Sequence, residues 1–254
     1  MATHPLFLAG KELPTSTTFP HRAVYDGRGL GEVSLANKSE AAAALSAAWH
    51  ARLPMAKLSA GARESMLRRA AEALLVQQEE MAQCITAETG KPISLARGEV
   101  GRAVTTFELA AEEAKRNAGE VIALDTLPAS EGRIGLVKRF PRGTVIGITP
   151  FNFPINLVAH KVAPAIAAGC PIILKPAPQA PLTALMLGKI LSRLGLPEGA
   201  FSVLPCANDV AETLVRDERA ATISFTGSAK VGWHLASIAG KKRVLLELGG
   251  NAAV

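Results

Sequence analysis

Four short stretches of this chain place chemically able side chains directly after apolar, strand-like runs. Asn152 sits in TPFNFP, Thr149 to Pro154, where two prolines stiffen the loop and point the residue from a strand end toward a helix beginning near Ile155. A side-chain amide held there can donate to an oxygen that gains negative charge, although an isolated Asn can equally satisfy its own turn. Lys175 lies in LKPAPQAP, residues 174–181, at a strand end in a rigid loop; it suits a phosphate or ribose hydroxyls, or is simply solvated. Gly227 and Ser228, in FTGSAKVG at 225–232, open a helix whose first N–H groups would welcome a pyrophosphate. The spacing from Gly227 to Gly232 imitates a P-loop, but Trp233 and His234 stand where that motif needs Lys and Ser/Thr, which excludes an ATPase. Glu247, in ELGGN, is a lone acid between an apolar strand and two glycines. Partly desolvated it can act as a general base; otherwise it belongs to a structural turn.

Other chemistry has less support. His4, His21, His50, His160 and His234 are scattered and form no ligand-spaced pair, so no metal is expected. Cys84 falls in a long helix, Cys170 just before a strand and Cys206 just after one; each reads as a small buried residue rather than a nucleophile. The net charge of +6 is concentrated in the second half. A basic half favours an anionic ligand, a phosphate-bearing cofactor or nucleic acid among them, or is an uneven solvated surface. With 8 Phe, 2 Trp and 1 Tyr, the chain lacks the aromatic platforms that single-stranded nucleic acid needs, and no nucleic-acid partner is expected.

Those residues need elements to hold them. At 254 residues and 48% hydrophobic, the chain can bury a proper core and is not disordered. No run of about 20 apolar residues exists, so no membrane helix is expected. Met1 to Gly10 carries no basic stretch leading into an apolar run, which points to a reducing cytoplasm. After an irregular opening with a glycine-spaced turn at 26–31, the first half reads as helical. Ser39 can cap a helix through about Trp49; Ser59 can cap a longer one carrying Leu67, Ala71, Leu74, Gln78, Met81 and Ile85 at helical spacing. Gly90 and Pro92 break it, and a third segment runs from about Ile93 to Arg116. Val121–Leu124 and Ile134–Phe140 flank a turn and suggest a hairpin at 121–141.

From Gly143 strands and helices alternate. Apolar runs at Thr144–Ile148, Pro171–Leu174, Phe201–Leu204, Thr222–Phe225 and Arg243–Leu246 are separated by helical segments near 155–167, 181–194, 208–216 and 229–239. The pattern predicts an α/β fold: an open parallel sheet with helices on both faces, its ligand at the carboxyl ends of the strands. The G-x-G-x-x-G fingerprint of the usual Rossmann fold is absent after the first strand.

Taken together and in order, ETGKP at 88–92, PRGTVIGITPFNFP at 141–154, LKPAPQAPLTAL at 174–185, FTGSAKVG at 225–232 and LELGG at 246–250 resemble the aldehyde dehydrogenase superfamily. The resemblance covers nearly the whole chain. It implies a Rossmann-like sheet that binds NAD or NADP without the glycine fingerprint, and oxidation of an aldehyde through a cysteine thioester. Asn152 then matches the oxyanion-hole asparagine and Glu247 the base that activates water. Lys175 matches the lysine on the cofactor ribose, with Thr149, Pro150, Phe151, Ala177, Pro178, Gly227, Ser228, Val231, Leu248 and Gly249 around the cofactor. Many NAD-using members carry a glutamate where this chain has Pro178, which implies that NADP is accepted at least as well.

The family's nucleophilic cysteine lies beyond Val254, so the resemblance implies the cofactor-binding part of a longer enzyme, inactive by itself. Its organisation would be a helix-rich segment at 1–120, a hairpin at 121–141 and the sheet at 142–254, with a homo-oligomer in the full-length enzyme. A stand-alone, non-catalytic nucleotide-binding module is the alternative. A CoA-acylating relative would dispense with the base, so Glu247 in an intact LELGG argues for the hydrolytic branch.

Overall fold

The irregular opening is strand rather than loop. In the computed structural model, which describes residues 2–251, it forms β1 (Thr3–His4), β2 (Leu6–Leu8), β3 (Lys11–Leu13), β4 (Thr18–Arg22) and β5 (Gly29–Ser34). The turn at 26–31 does join two strands, since β4 and β5 pair antiparallel across it. β1 joins the other side of β5 to complete a small three-stranded sheet.

Three helical segments follow as four helices: α1 (Lys38–Lys57), α2 (Ala60–Val76), α3 (Gln78–Thr89) and α4 (Ile93–Arg116). Asn37, not Ser39, caps α1. Its side chain accepts from the Ser39 and Glu40 N–H groups while Glu40 reaches back to the Asn37 N–H, a reciprocal box that outcompetes a lone serine. Ser59 caps α2 as expected, accepting from the Ala62 N–H. The single long helix predicted after it is interrupted at Gln77, whose ψ of 16° lies outside the helix. The apolar spacing carries across the break, which is why spacing alone does not reveal it. Gly90 ends α3 in the left-handed conformation, φ 71°, where a side chain would be strained.

The hairpin is β6 (Glu120–Ala123) against β7 (Ile134–Val137), paired antiparallel. Beyond it run β8 (Thr144–Ile148), α5 (Asn156–Ala167), β9 (Ile172–Lys175), α6 (Pro181–Leu191), β10 (Phe201–Val203), α7 (Asn208–Arg216), β11 (Ala220–Gly227), α8 (Ala229–Ile238) and β12 (Arg243–Leu248). Three strands extend further than the apolar runs suggest, so Lys175, Gly227, Glu247 and Leu248 lie within strands rather than after them.

These strands form one seven-stranded sheet, order β12-β11-β8-β9-β10-β2-β3. The five from the second half are mutually parallel, and β2 and β3 extend the edge antiparallel. The sheet is therefore mixed, though mainly parallel. Helices cover both faces. On one, α1, α7 and α8 pack on Ile146, Ile173 and Ile223. On the other, α5 and α6 pack on Ile172 and Leu174, with α2, α3 and α4 as a second layer behind them. Because strand residues alternate between faces, side chains at the strand ends are divided between these two cores.

Candidate active and cofactor site

The carboxyl ends of the parallel strands gather the predicted residues at one end of the sheet, and strand alternation sorts them into two groups. Lys175 shares a face with Ile173 of β9, in the core of α1, α7 and α8. It is buried, 6% exposed, and its ammonium donates to no protein acceptor among the described residues. Burial pulls its pKa down, and Cys206, at the end of the neighbouring strand, partly opposes this. The Thr149 N–H donates to the Lys175 carbonyl at 3.2 Å, tying the ends of β8 and β9 together. Ala177 is buried and Pro178 exposed beside them.

Ser228 begins α8, its hydroxyl accepting from the Val231 N–H at 3.4 Å. The other sheet helices have acids at their starts. Glu99 occupies the first N–H groups of α5, Glu88 those of α6, and Asp209 sits in the first turn of α7. The first turn of α8 holds no acid, and Lys230 lies within it. Of the four helix starts beside the strand ends, this one is electrostatically open to a pyrophosphate. Gly227 is a packing requirement: a Cβ there would meet Phe225 Cζ at 2.5 Å. Leu248 packs its side chain against Gly232 of α8, where a Cβ would meet Leu248 Cδ2 at 2.4 Å. Its backbone, not its side chain, is what can face a ligand.

Glu247 is on the opposite face. Its Oε2 accepts from the Thr226 hydroxyl at 2.9 Å, the two residues being register partners on β12 and β11. Lys161 of α5 donates to the same hydroxyl at 2.8 Å and to Ser224 Oγ at 3.0 Å. Lys161 is buried, and desolvation brings its pKa down to about 8 despite the opposing charge of Glu247. Glu247 is exposed rather than partly desolvated, because it lies on the edge strand β12, and it lines a cavity of about 640 Å³ floored by α4 and α5. This lysine–threonine–glutamate chain was not legible in the sequence. Lys161 lies in an apolar helix with no motif to mark it, and only the face of α5 turned to β11 explains it.

Asn152 is exposed in the loop between β8 and α5. Its carbonyl accepts from Lys91 Nζ at 2.8 Å, and the same ammonium pairs with buried Glu99 and lies 4.1 Å from the Phe153 ring centroid. The loop is thus held by the ETGKP turn, a motif to which the residue types alone assigned no task. None of the cysteines occupies this end as an activated thiol. Burial pushes Cys206 up to about 11 and Cys84 well above the ordinary range, and Cys170 is buried.

Residues 13–254 match the aldehyde dehydrogenase family, and the chain belongs to that family. It is 41% identical over 230 residues to a 3-sulfolactaldehyde dehydrogenase of Priestia aryabhattai, covering 90% of this chain and 48% of the relative. Aldehyde dehydrogenase 21 of Physcomitrella patens, solved with the reaction product succinate, superposes with a TM-score of 0.96 at 45% identity, covering 98% of this chain and 52% of that one. The NADP-dependent glyceraldehyde-3-phosphate dehydrogenase of Bacillus halodurans C-125, solved with NADP, superposes with a TM-score of 0.94 at 30% identity, covering 98% and 53%. The chain therefore spans about half the length of the relatives it matches and corresponds to their N-terminal portion.

Proposed function

We propose that this chain is the dinucleotide-binding part of an NAD(P)-dependent aldehyde dehydrogenase that oxidises an aldehyde to a carboxylic acid through a cysteine thioester. The observation that carries this reading is the pairing of Lys175, a buried residue whose ammonium has no protein acceptor among the described residues, with the start of α8, which is free of acid among them. Together they fit an anionic dinucleotide. When bound, such a cofactor supplies the hydride acceptor.

The chain's own residues then take these parts. Lys175 would hold the ribose hydroxyls of a bound cofactor, and Ser228 with its neighbours would hold the pyrophosphate. Asn152 donates its side-chain amide to the aldehyde oxygen as that oxygen gains charge. Glu247, whose Oε2 accepts from the Thr226 hydroxyl, takes a proton from the water that hydrolyses the thioester. The relatives act on 3-sulfolactaldehyde or yield succinate, which favours an aldehyde carrying an anionic group.

At position 178 an exposed proline stands in place of a carboxylate that would repel a 2′-phosphate. The chain is expected to bind NADP at least as well as NAD. Calorimetric titration with both checks this; NAD bound more than about tenfold tighter, roughly 1.4 kcal/mol, would reject the preference. Binding of neither would reject the cofactor site.

A further inference from the structure

The ETGKP turn and the start of α4 carry two buried carboxylates, Glu88 and Glu99, 1% and 0% exposed. Neither meets its main partners on its own helix. Glu99 Oε1 accepts from the Ile155 and Asn156 N–H groups at 3.0 and 3.2 Å, at the start of α5, and its Oε2 pairs with Lys91. Glu88 Oε1 accepts from the Leu182 N–H at 2.6 Å, and its Oε2 from the Thr183 N–H at 2.9 Å and the Thr183 hydroxyl, at the start of α6. His21 Nε2 lies 3.1 Å from Glu88 Oε1. Neither α5 nor α6 has a side-chain cap of its own. Each would otherwise leave buried N–H groups unsatisfied, which costs about 1–3 kcal/mol per group.

The two helices follow the two loops of the proposed cofactor site. α5 follows the Thr149–Asn152 loop, and α6 follows the loop that runs on from Lys175 through Pro178. A helix start capped from another layer of the fold cannot shift without breaking that cap, so each carboxylate sets where its loop ends. Lys91 extends the brace by holding the Asn152 carbonyl. We infer that Glu88 and Glu99 are positioning residues: they act on the cofactor through the loops they anchor. This rests on the cofactor-binding reading above.

The test uses the 254-residue chain with NADP as probe. Amide exchange followed by NMR reads the caps, and calorimetry reads the site. Glu88→Gln is expected to speed exchange at Leu182 and Thr183 at least tenfold, and Glu99→Gln to do the same at Ile155 and Asn156. Exchange at Ile146 and Ile173 in the strands should not change. Each variant should also raise the Kd for NADP about tenfold. Should either fail to fold, Thr183→Val and Lys91→Gln remove one partner each and should produce smaller shifts of the same kind. Glu79→Gln breaks an exposed ion pair with Arg97 and should change neither readout. Faster exchange with an unchanged Kd would overturn the positioning role, as would unchanged exchange. If the unsubstituted chain binds neither NADP nor NAD, the cofactor reading fails and the positioning role with it. That outcome is distinct from normal binding that the substitutions leave untouched.

Discussion

Lys161 carries a charge that the fold makes costly. Its folded pKa of about 8 lies below the ordinary lysine value, because burial between α5 and β11 disfavours the ammonium. The unfolded chain therefore holds more protons on this residue from about pH 8 upward, and stability rises with pH there. Between pH 8 and 9 the chain is expected to gain about 1 kcal/mol relative to Lys161→Met, measured by urea unfolding of both. A flat difference would show that Lys161 is not desolvated. Cys206 has the opposite character: its thiol is pushed up to about 11, so almost none is thiolate near neutrality. Alkylation of Cys206 by iodoacetamide at pH 7.5 should run about a hundredfold slower in the folded chain than in urea. Fast labelling would revive it as a nucleophile.

Two elements show how context decides what a pattern does. Residues 225–232 are spaced like a phosphate loop, yet Gly227 closes a strand and is small because the Phe225 ring lies where its side chain would be. Gly227→Ala should displace that ring and cost about 1–3 kcal/mol of stability, and it should weaken NADP binding because Ser228 moves with the strand end. Calorimetry and thermal unfolding on the same variant check both effects. The hairpin of β6 and β7 extends into solvent, with Val121 at 74%, Ile134 at 70% and Leu136 at 80% exposure. A two-stranded ribbon is marginal in water without cover, and exposed apolar strands pair with other chains. Concentration-dependent self-association is expected from light scattering, and Val121→Lys with Leu136→Glu should reduce it. A strict monomer over a wide concentration range would refute this.

For the whole molecule the question is turnover. Asn152 and Glu247 are present, but Cys84 and Cys206 are held as thiols and Cys170 is buried. Groups that act as a unit with a nucleophile do not replace it. Residues 1–254 are expected to bind NADP yet show no aldehyde-dependent reduction of it, followed at the nicotinamide absorbance. Substantial turnover abolished by Cys206→Ser would overturn the reading. On the proposed function, Asn152→Ala in an aldehyde-oxidising enzyme that includes these residues should slow the reaction by roughly 3 kcal/mol, the usual effect of losing one oxyanion donor.

By itself the sequence determined the regular part of this protein. The strand–helix alternation after Gly143, the helix from Ile93, the hairpin, Asn152 in its loop and Ser228 at a helix start follow from local signals, whereas Lys175 and Glu247 lie within strands that run further than those signals show. Apolar periodicity, glycine and proline breaks, and short motifs act over a few residues and can be read one after another. Tertiary structure alone decided the rest. β2 and β3 join the sheet because β10 offers them an edge, and the interruption at Gln77 leaves the apolar spacing intact. Glu88 and Glu99 look like ordinary helical acids until α5 and α6 present unpaired N–H groups to them. Lys161 becomes a partner of Glu247 only through Thr226, 65 residues further along the chain. Such long-range partners are chosen by which buried polar groups would otherwise go unsatisfied, and no run of neighbouring residues records that.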